Sequence, residues 1–579
     1  MTPDLSNYNT FATSLMIEEL VRLGVTFFAI SPGFRNAPLT VAAARHPKTQ
    51  KVVHFDERGA AFLALGHARA TGRPAAVICT SGTAVANYFP AVVEASQDGI
   101  PLILLTADRP EELRNCGANQ TIDQIHFFGK YVRYDVDLPC PDDRHEPDCW
   151  LTTIDTAFAA AMGHPPGPVH LNCQFREPLV PLPNETQSDI STRAIASWLD
   201  SDRPYSAPAK AKPAADRKEV EGCARIINSA DSGMLIIGTL RSESERKAVC
   251  KLTESLAWPV LPDIKSSLPL SSADVNFIHY YDLLLESGTF PPGNKETVLL
   301  QIGSRLVSKR LVQFIEDLSP KHYIHVDIDP RCLDPTHRVT NRITGDIAGT
   351  CAALVTRISR SDRSNALEDI LNKDRRAAEI IDRCVLAENR LSEPSVLRLL
   401  SGNLPGGCAL FLANSMPIRL MDVYAASGTD ATVVANRGAS GIDGTVASAV
   451  GYAIGYGGPT VLLIGDLALL HDLSSLSLVQ KHSPSLTVIV LNNNGGGIFD
   501  RLPIAQCEDV HEEFFVAPHG HTFEKACEMF GLTYHAPDTP DKFVSLLSET
   551  IDSPALIELA VDRADSLRVH REIVRQLVP

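Results

Sequence analysis

Residues 459–500 read PTVLLIGDLALLHDLSSLSLVQKHSPSLTVIVLNNNGGGIFD, and this stretch decides the fold of the 579-residue chain. The runs at 461–464 and 486–491 are short, apolar and rich in β-branched residues, as strands buried on both faces are. Between them Leu470, Leu473, Ser474, Ser477 and Leu478 recur at helical spacing, which predicts a βαβ unit with a parallel strand pair. Asp466 then ends the first strand and Asn493 follows the second, so both sit at the carboxyl edge, where α/β sheets take their ligands. A carboxylate, a side-chain amide and the carbonyls of a Gly-rich turn are hard oxygen donors. Magnesium binds a few such groups and completes its octahedron with water and phosphate oxygens. The stretch suggests a divalent cation clamped onto a diphosphate, the alternative being a Gly-rich turn in an ordinary doubly wound sheet.

Composition narrows the rest. The length exceeds what one core can organise, and roughly three domains are expected. Hydrophobic content of 44% and charged content of 21% are those of a globular protein. No apolar run reaches the roughly 18 residues of a membrane span, and the N-terminus shows no secretory signal. Thirteen cysteines without a CxxC pair read as free thiols of a reducing compartment. A net charge of −16 argues against nucleic acid or an anionic membrane as partner. A soluble, cytoplasmic protein is expected.

Along the chain, short apolar runs at 26–30, 51–55, 75–80 and 102–106 alternate with helical patterns, predicting a first α/β domain over 1–186. A Ser-, Pro-, Ala- and Lys-rich segment over 187–215 reads as a linker. A second α/β domain follows over 216–358, with strands at 234–238, 297–302 and 323–328. The charged segment 359–392 predicts a helical connector running over the surface, and the last domain occupies 393–579.

The first and last domains look duplicated. VVHFDERGAAFLALGHARATGRPAAVICTSGT (52–83) and TVVANRGASGIDGTVASAVGYAIGYGGPTVLLIGDL (432–467) share the succession strand, Arg-Gly-Ala turn, small-residue helix, Gly-rich turn, strand. Upstream, Ser31 to Arg35 and Ser415 to Arg419 share a Ser-x-x-x-Arg spacing. Matches in the same order point to repetition of one unit.

These features resemble the thiamine-diphosphate-dependent decarboxylases, in which Gly-Asp and a later Asn-Asn bracket the metal site. Leu467 stands where many members carry a second glycine. SPGFRNAP (31–38), HFDERGA (54–60), LTADRP (105–110), GANQTIDQ (117–124), SKRL (308–311), NSMPIRL (414–420), NRGASGIDG (436–444) and NNNGGGIF (492–499) are similar to one family among them, the 2-succinyl-5-enolpyruvyl-6-hydroxy-3-cyclohexene-1-carboxylate synthases of menaquinone biosynthesis. The resemblance implies three doubly wound domains, the first holding the cofactor's pyrimidine and the last its diphosphate. It implies decarboxylation of 2-oxoglutarate on thiamine diphosphate and addition of the succinyl carbanion to isochorismate. An acetolactate-synthase-like enzyme acting on pyruvate is the alternative, although Gly238-Thr-Leu-Arg is a poor dinucleotide turn.

The resemblance also assigns residues. Glu57 matches the glutamate that hydrogen-bonds the pyrimidine ring nitrogen, a protonation device that suits an apolar pocket. Ile442 matches the wedge that bends the cofactor. Gly465, Asp466, Leu467 and Asn493 would cradle the diphosphate. Asp466, Asn493 and the Gly495 carbonyl would hold Mg2+ or Mn2+. Both substrates are dicarboxylates and the chain is acidic, so cations must be concentrated locally, where the guanidinium fork suits a carboxylate. Ser415 and Arg419 would take the distal carboxylate of 2-oxoglutarate. Arg35, Arg109, Gln120, Lys309 and Arg437 would receive isochorismate or the intermediate. Phe34 replaces the usual serine of the SPG-S-R turn. His54 and His471 flank these motifs and read as structural residues. The family's architecture implies a cofactor site built between two chains, hence at least a homodimer and by extension a homotetramer.

Overall fold

A computed structural model describes residues 3–181, 190–206, 213–268, 276–359, 365–387, 389–428, 431–483 and 485–578. Parts of the expected linker (187–189 and 207–212) and of the expected connector (360–364 and 388) lie outside them. All three sheets are parallel, and each belongs to its own α/β domain.

The first sheet runs β2-β1-β3-β4-β6-β5, with β1 (Phe27–Ile30), β2 (Gln50–Val53), β3 (Ala75–Cys79), β4 (Leu102–Asp108), β5 (Asp135–Leu138) and β6 (Pro168–Gln174). β1, β3, β4 and β6 are buried along their whole length, which is why they read as unbroken apolar runs. The middle sheet runs β11-β10-β9-β7-β8, from β7 (Gly233–Ile237), β8 (Val260–Pro262), β9 (Val298–Ile302), β10 (Tyr323–Asp327) and β11 (Asn341–Thr344). The last runs β13-β12-β14-β15-β17-β16, from β12 (Cys408–Leu412), β13 (Ala431–Val434), β14 (Thr460–Gly465), β15 (Leu486–Asn492), β16 (Thr533–His535) and β17 (Ala555–Ala560). First and last sheets share one strand order, as duplication requires. Position for position, however, the Arg-Gly-Ala triplets differ. Arg58 lies in helix Glu57–Thr71, while Arg437 lies in a loop before helix Thr445–Tyr456.

The chain forms two compact units. One contains residues 1–210, 436–457 and 470–484; the other contains 211–435, 458–469 and 485–579. In the first unit, helix Glu57–Thr71 starts on Asp56, whose side chain accepts from the Arg58 and Gly59 amides, and ends at Gly72 in the left-handed region, a good start and stop. This helix crosses helix Thr445–Tyr456 at backbone contact. A Cβ on Gly66 would lie 1.9 Å from the Ser448 carbonyl oxygen, and one on Gly451 1.9 Å from that of Leu63. Only glycine admits so close an approach.

In the second unit one apolar core joins the middle and last sheets, from Ile236 and Leu299 through to Leu410, Leu463 and Ile489. Helix Asn365–Leu386, expected as a surface bridge, contributes Leu367, Ile370, Ala377, Ile380 and Ile381 to that core. Most of its charges lie outside that core, but Asp374 is buried and accepts from the Tyr280 amide at 2.8 Å. The described part of the expected linker is also packed. Ile195 and Trp198 enter the first domain's core, the Trp198 indole donates to Glu19 Oε2 at 2.6 Å, and Arg22 stacks over the ring at 4.0 Å. The single helix expected after Asp466 is broken into Asp466–His471 and Leu476–His482, with Asp472 turned to other work. Its carboxylate accepts from the Ala447 amide and the Ser475 hydroxyl.

Candidate active site

The residues singled out in the sequence fall into two groups, one in each compact unit. In the first, β2 ends at Val53 and helix Glu57–Thr71 begins at Glu57, so the Glu57 carboxylate leaves the sheet's carboxyl edge at a helix N-terminus. Asn87 donates to Glu57 Oε2 at 3.2 Å. Sequence reasoning missed Asn87, because nothing in TAVAN signals a partner in another helix. His54 is buried beside Gly59, and burial pushes its imidazole down to about 4, so the ring is neutral. His471 accepts from Arg58 through its Nδ1 and its carbonyl, at 3.2 and 2.9 Å.

Two of the expected isochorismate residues, Arg109 and Gln120, meet at Ser81. Arg109 donates to Ser81 Oγ at 2.6 Å and to the Asn119 carbonyl at 2.9 Å. Gln120, at φ 54°, donates to the Ser81 carbonyl at 3.0 Å. Arg35 donates to the Phe175 carbonyl at 2.9 Å, and burial and the charge of Arg109 lower its pKa. Glu177 Oε1, 3.9 Å from the Arg35 guanidinium, offsets part of that repulsion. Phe34, beside Arg35, is 66% exposed. The loop carrying Arg437 and Ile442 is pinned at its start, where the Gly438 and Ala439 amides donate to Glu94 at 2.8 and 2.6 Å. Glu94 also went unread: it lies in an unremarkable helix, Phe89–Asp98, and buries its carboxylate.

In the second unit, β14 delivers Gly465 and Asp466, and β15 delivers Asn493. Asp466 Oδ1 accepts from the Leu467 amide at 2.6 Å, and Oδ2 accepts from the Gly495 amide at 2.9 Å, so the two βα turns are tied together. His519 Nε2 stands 3.2 Å from Oδ2. Gly495 has φ 135°, and a Cβ there would lie 2.3 Å from the Val516 carbonyl oxygen, so only glycine fits. The Asn493 amide donates to Glu393 Oε1 at 2.9 Å, while its Oδ1 is buried without a hydrogen-bond partner. Ser415 (φ 69°) precedes helix Met416–Tyr424, and Arg419 reaches back one turn to the Ser415 carbonyl at 3.1 Å. Burial lowers the Arg419 pKa. Ser415 and Arg419 therefore sit beside Asp466 at the carboxyl ends of the neighbouring strands β12 and β14. Lys309 is the exposed first residue of helix Lys309–Leu318 in the middle domain. Among the described residues it makes no hydrogen bond to the other residues named.

The middle sheet reverses its order between β7 and β9, the point where a doubly wound sheet opens a ligand crevice. There the turns are in backbone contact: a Cβ on Gly238 would lie 2.1 Å from the Ser304 carbonyl oxygen, and one on Gly303 2.5 Å from that of Thr239.

Residues 11–127 match the N-terminal TPP-binding domain of thiamine pyrophosphate enzymes, 191–412 the middle domain of thiamine pyrophosphate, and 418–559 the C-terminal TPP-binding domain. A 2-succinyl-5-enolpyruvyl-6-hydroxy-3-cyclohexene-1-carboxylate synthase of Rubrobacter xylanophilus is 44% identical over 97% of both chains. One of Salinibacter ruber is 44% identical over 98% of this chain and 96% of its own. The chain belongs to this synthase family. It is a thiamine-diphosphate-dependent transferase that forms a carbon–carbon bond. A benzoylformate decarboxylase from Polynucleobacter necessarius shares the fold, with a TM-score of 0.72 and 17% identity over 95% of this chain and 98% of its own.

For a synthase of this family the donor set of the last sheet fits a hard cation. It consists of one carboxylate, the unsatisfied amide oxygen of Asn493 and a backbone carbonyl. Among the described residues no three His, Cys, Asp or Glu side chains gather as for a softer metal.

Proposed function

We propose that this chain decarboxylates 2-oxoglutarate and transfers the succinyl unit to isochorismate, giving 2-succinyl-5-enolpyruvyl-6-hydroxy-3-cyclohexene-1-carboxylate for menaquinone biosynthesis. Full-length identity of 44% to synthases named for that product carries the reading. Bound thiamine diphosphate supplies the carbon nucleophile and the electron sink.

The chain's residues divide the remaining work. Glu57, steadied by Asn87, would hold the proton at the cofactor's pyrimidine nitrogen. Ile442 would press between the cofactor's rings. Gly465 and Leu467 would line the diphosphate, and Asp466, Asn493 and the Gly495 carbonyl would hold Mg2+ or Mn2+ against it. Arg419 and Ser415 would grip the distal carboxylate of 2-oxoglutarate. Arg35, Arg109 and Gln120, joined by Arg437 and Lys309, would receive isochorismate. The boundaries 1–186, 187–215, 216–358, 359–392 and 393–579 remain the working division of the chain. The working unit is a homodimer or homotetramer with the cofactor between chains, and its place is the cytoplasm. Among the described residues no helix is long and apolar enough to cross a membrane.

Product analysis tests the reading. The purified protein with thiamine diphosphate and Mg2+ should release carbon dioxide from 2-oxoglutarate and form the named product only when isochorismate is added. Turnover of pyruvate to acetolactate, with 2-oxoglutarate untouched, would replace it by the acetolactate-synthase-like alternative.

A further inference from the structure

An asparagine that holds a cation must present its oxygen. Its two ends are nearly isosteric, so packing alone does not choose between them. The wrong orientation aims two N–H donors at the metal. Asn493 follows β15, with Oδ1 buried and without a hydrogen-bond partner and Nδ2 2.9 Å from Glu393 Oε1. Glu393 is itself rigidly placed. It opens helix Glu393–Gly402, behind the Ser392–Ser395 capping box and ahead of Pro394. Its amide donates to Ser566 Oγ at 3.0 Å, and its side chain is buried. A carboxyl group spent on a surface helix start would face water; this one faces the amide across a hundred residues of sequence.

We infer that Glu393 is a positioning residue of the cation site: by accepting from Asn493 Nδ2 it fixes the amide so that Oδ1 faces the divalent metal. The inference rests on the metal placement proposed above. Its consequence is that the affinity for the ion depends on a residue that never touches it. Groups that orient a ligand from outside typically contribute 10–100-fold in metal affinity.

The probe is Mn2+ binding in the presence of thiamine diphosphate, read by the electron paramagnetic resonance of free Mn2+, with metal-free melting temperature as the companion measurement. Asn493→Ala must first weaken Mn2+ binding; if it does not, the metal placement itself is wrong. Given that loss, Glu393→Ala should weaken binding at least tenfold. Glu393→Gln, whose carbonyl can still accept from Nδ2, should stay within about threefold of the parent. In the Asn493→Ala background, Glu393→Ala should add nothing, because the residue acts only through that amide. Parental Mn2+ affinity in Glu393→Ala overturns the inference. So does a further loss in the double variant, or a glutamine variant as weak as the alanine one. If Glu393→Ala melts before it can be measured, the glutamine result decides alone: retention upholds the role and a tenfold loss removes it.

Discussion

Glu57 and Asn87 are thirty positions apart and meet at 3.2 Å, so the chemistry assigned to one depends on the orientation given by the other. A neutral amide in place of Glu57 fills the same space. Glu57→Gln should therefore keep cofactor affinity while slowing hydrogen–deuterium exchange at the thiazolium carbon by about a hundredfold or more, the usual reach of general acid–base groups. Nuclear magnetic resonance of quenched samples reads that exchange, and a parental rate would remove Glu57 from the role. His67 makes a different prediction in the same helix. Its ring stacks on Phe27 at 4.0 Å, Nδ1 has no hydrogen-bond partner, and burial pushes the imidazole down to about 4. The unfolded chain takes up this proton near pH 6.5 and the folded one resists until about pH 4. His67 thus adds no penalty above pH 6.5 and a growing one as the pH falls toward 4. Buried carboxyls such as Asp472, raised to about 6 by burial, pull the other way, so the comparison must be with a variant. His67→Phe should gain about 2 kcal/mol on the parent between pH 7.5 and 4.5 in urea denaturation. A gap that does not change with pH would show that the histidine is solvated.

At the scale of elements, the crossing of helices Glu57–Thr71 and Thr445–Tyr456 has the least tolerance. Gly451→Ala drives a methyl group against the Leu63 carbonyl, and neither backbone can retreat without disturbing a helix. A loss toward the upper end of the 1–3 kcal/mol typical of overpacking, or about 3 kcal/mol, is expected. Gly222, in helix Arg217–Asn228, meets only the tip of Arg225 at 3.8 Å. Gly222→Ala should be neutral or stabilise by about 0.5–1 kcal/mol through helix propensity. Thermal melts separate the two, and equal shifts would deny the close crossing. Elements also show where the sequence speaks. Runs such as 461–464 and 102–106 are legible because both faces are buried. β16 is legible neither by composition nor length, since Thr533 is exposed and the strand spans three residues. The break at Asp472 was hidden because its cause is the Ala447 amide, in another helix. Candidate residues announced by local motifs, such as Asp466 and Asn493, stand out in the sequence. Their partners Asn87, Glu94 and Glu393 do not, because a contact made across the fold leaves no local signature.

Over the whole molecule, the arginines assigned to the two substrates fall in different units, although Lys309, also assigned to isochorismate, lies in the second. Arg35, Arg109 and Gln120 belong to one compact unit; Ser415 and Arg419 belong to the other. The shared Ser-x-x-x-Arg spacing does not make the two copies alike. Arg419 lies within a helix and bonds its own first turn, whereas Arg35 lies in a loop and bonds the Phe175 carbonyl after β6. Duplication repeated the sheet, and the loops then diverged in structure. The two arginines should accordingly serve different half-reactions. Truncating one partner of a buried charge pair costs about 2–5 kcal/mol, or roughly thirtyfold to several-thousandfold. Arg419→Ala should suppress carbon dioxide release from 2-oxoglutarate by that factor, because the first substrate no longer docks. Arg35→Ala should release carbon dioxide in a single turnover at close to the parental rate and fail only when isochorismate is added. Stopped-flow absorbance with a carbon dioxide trap resolves the two steps. Equal damage by both substitutions to the first step would mean that the separate placement of these arginines carries no division of substrates, and that the shared spacing records ancestry alone.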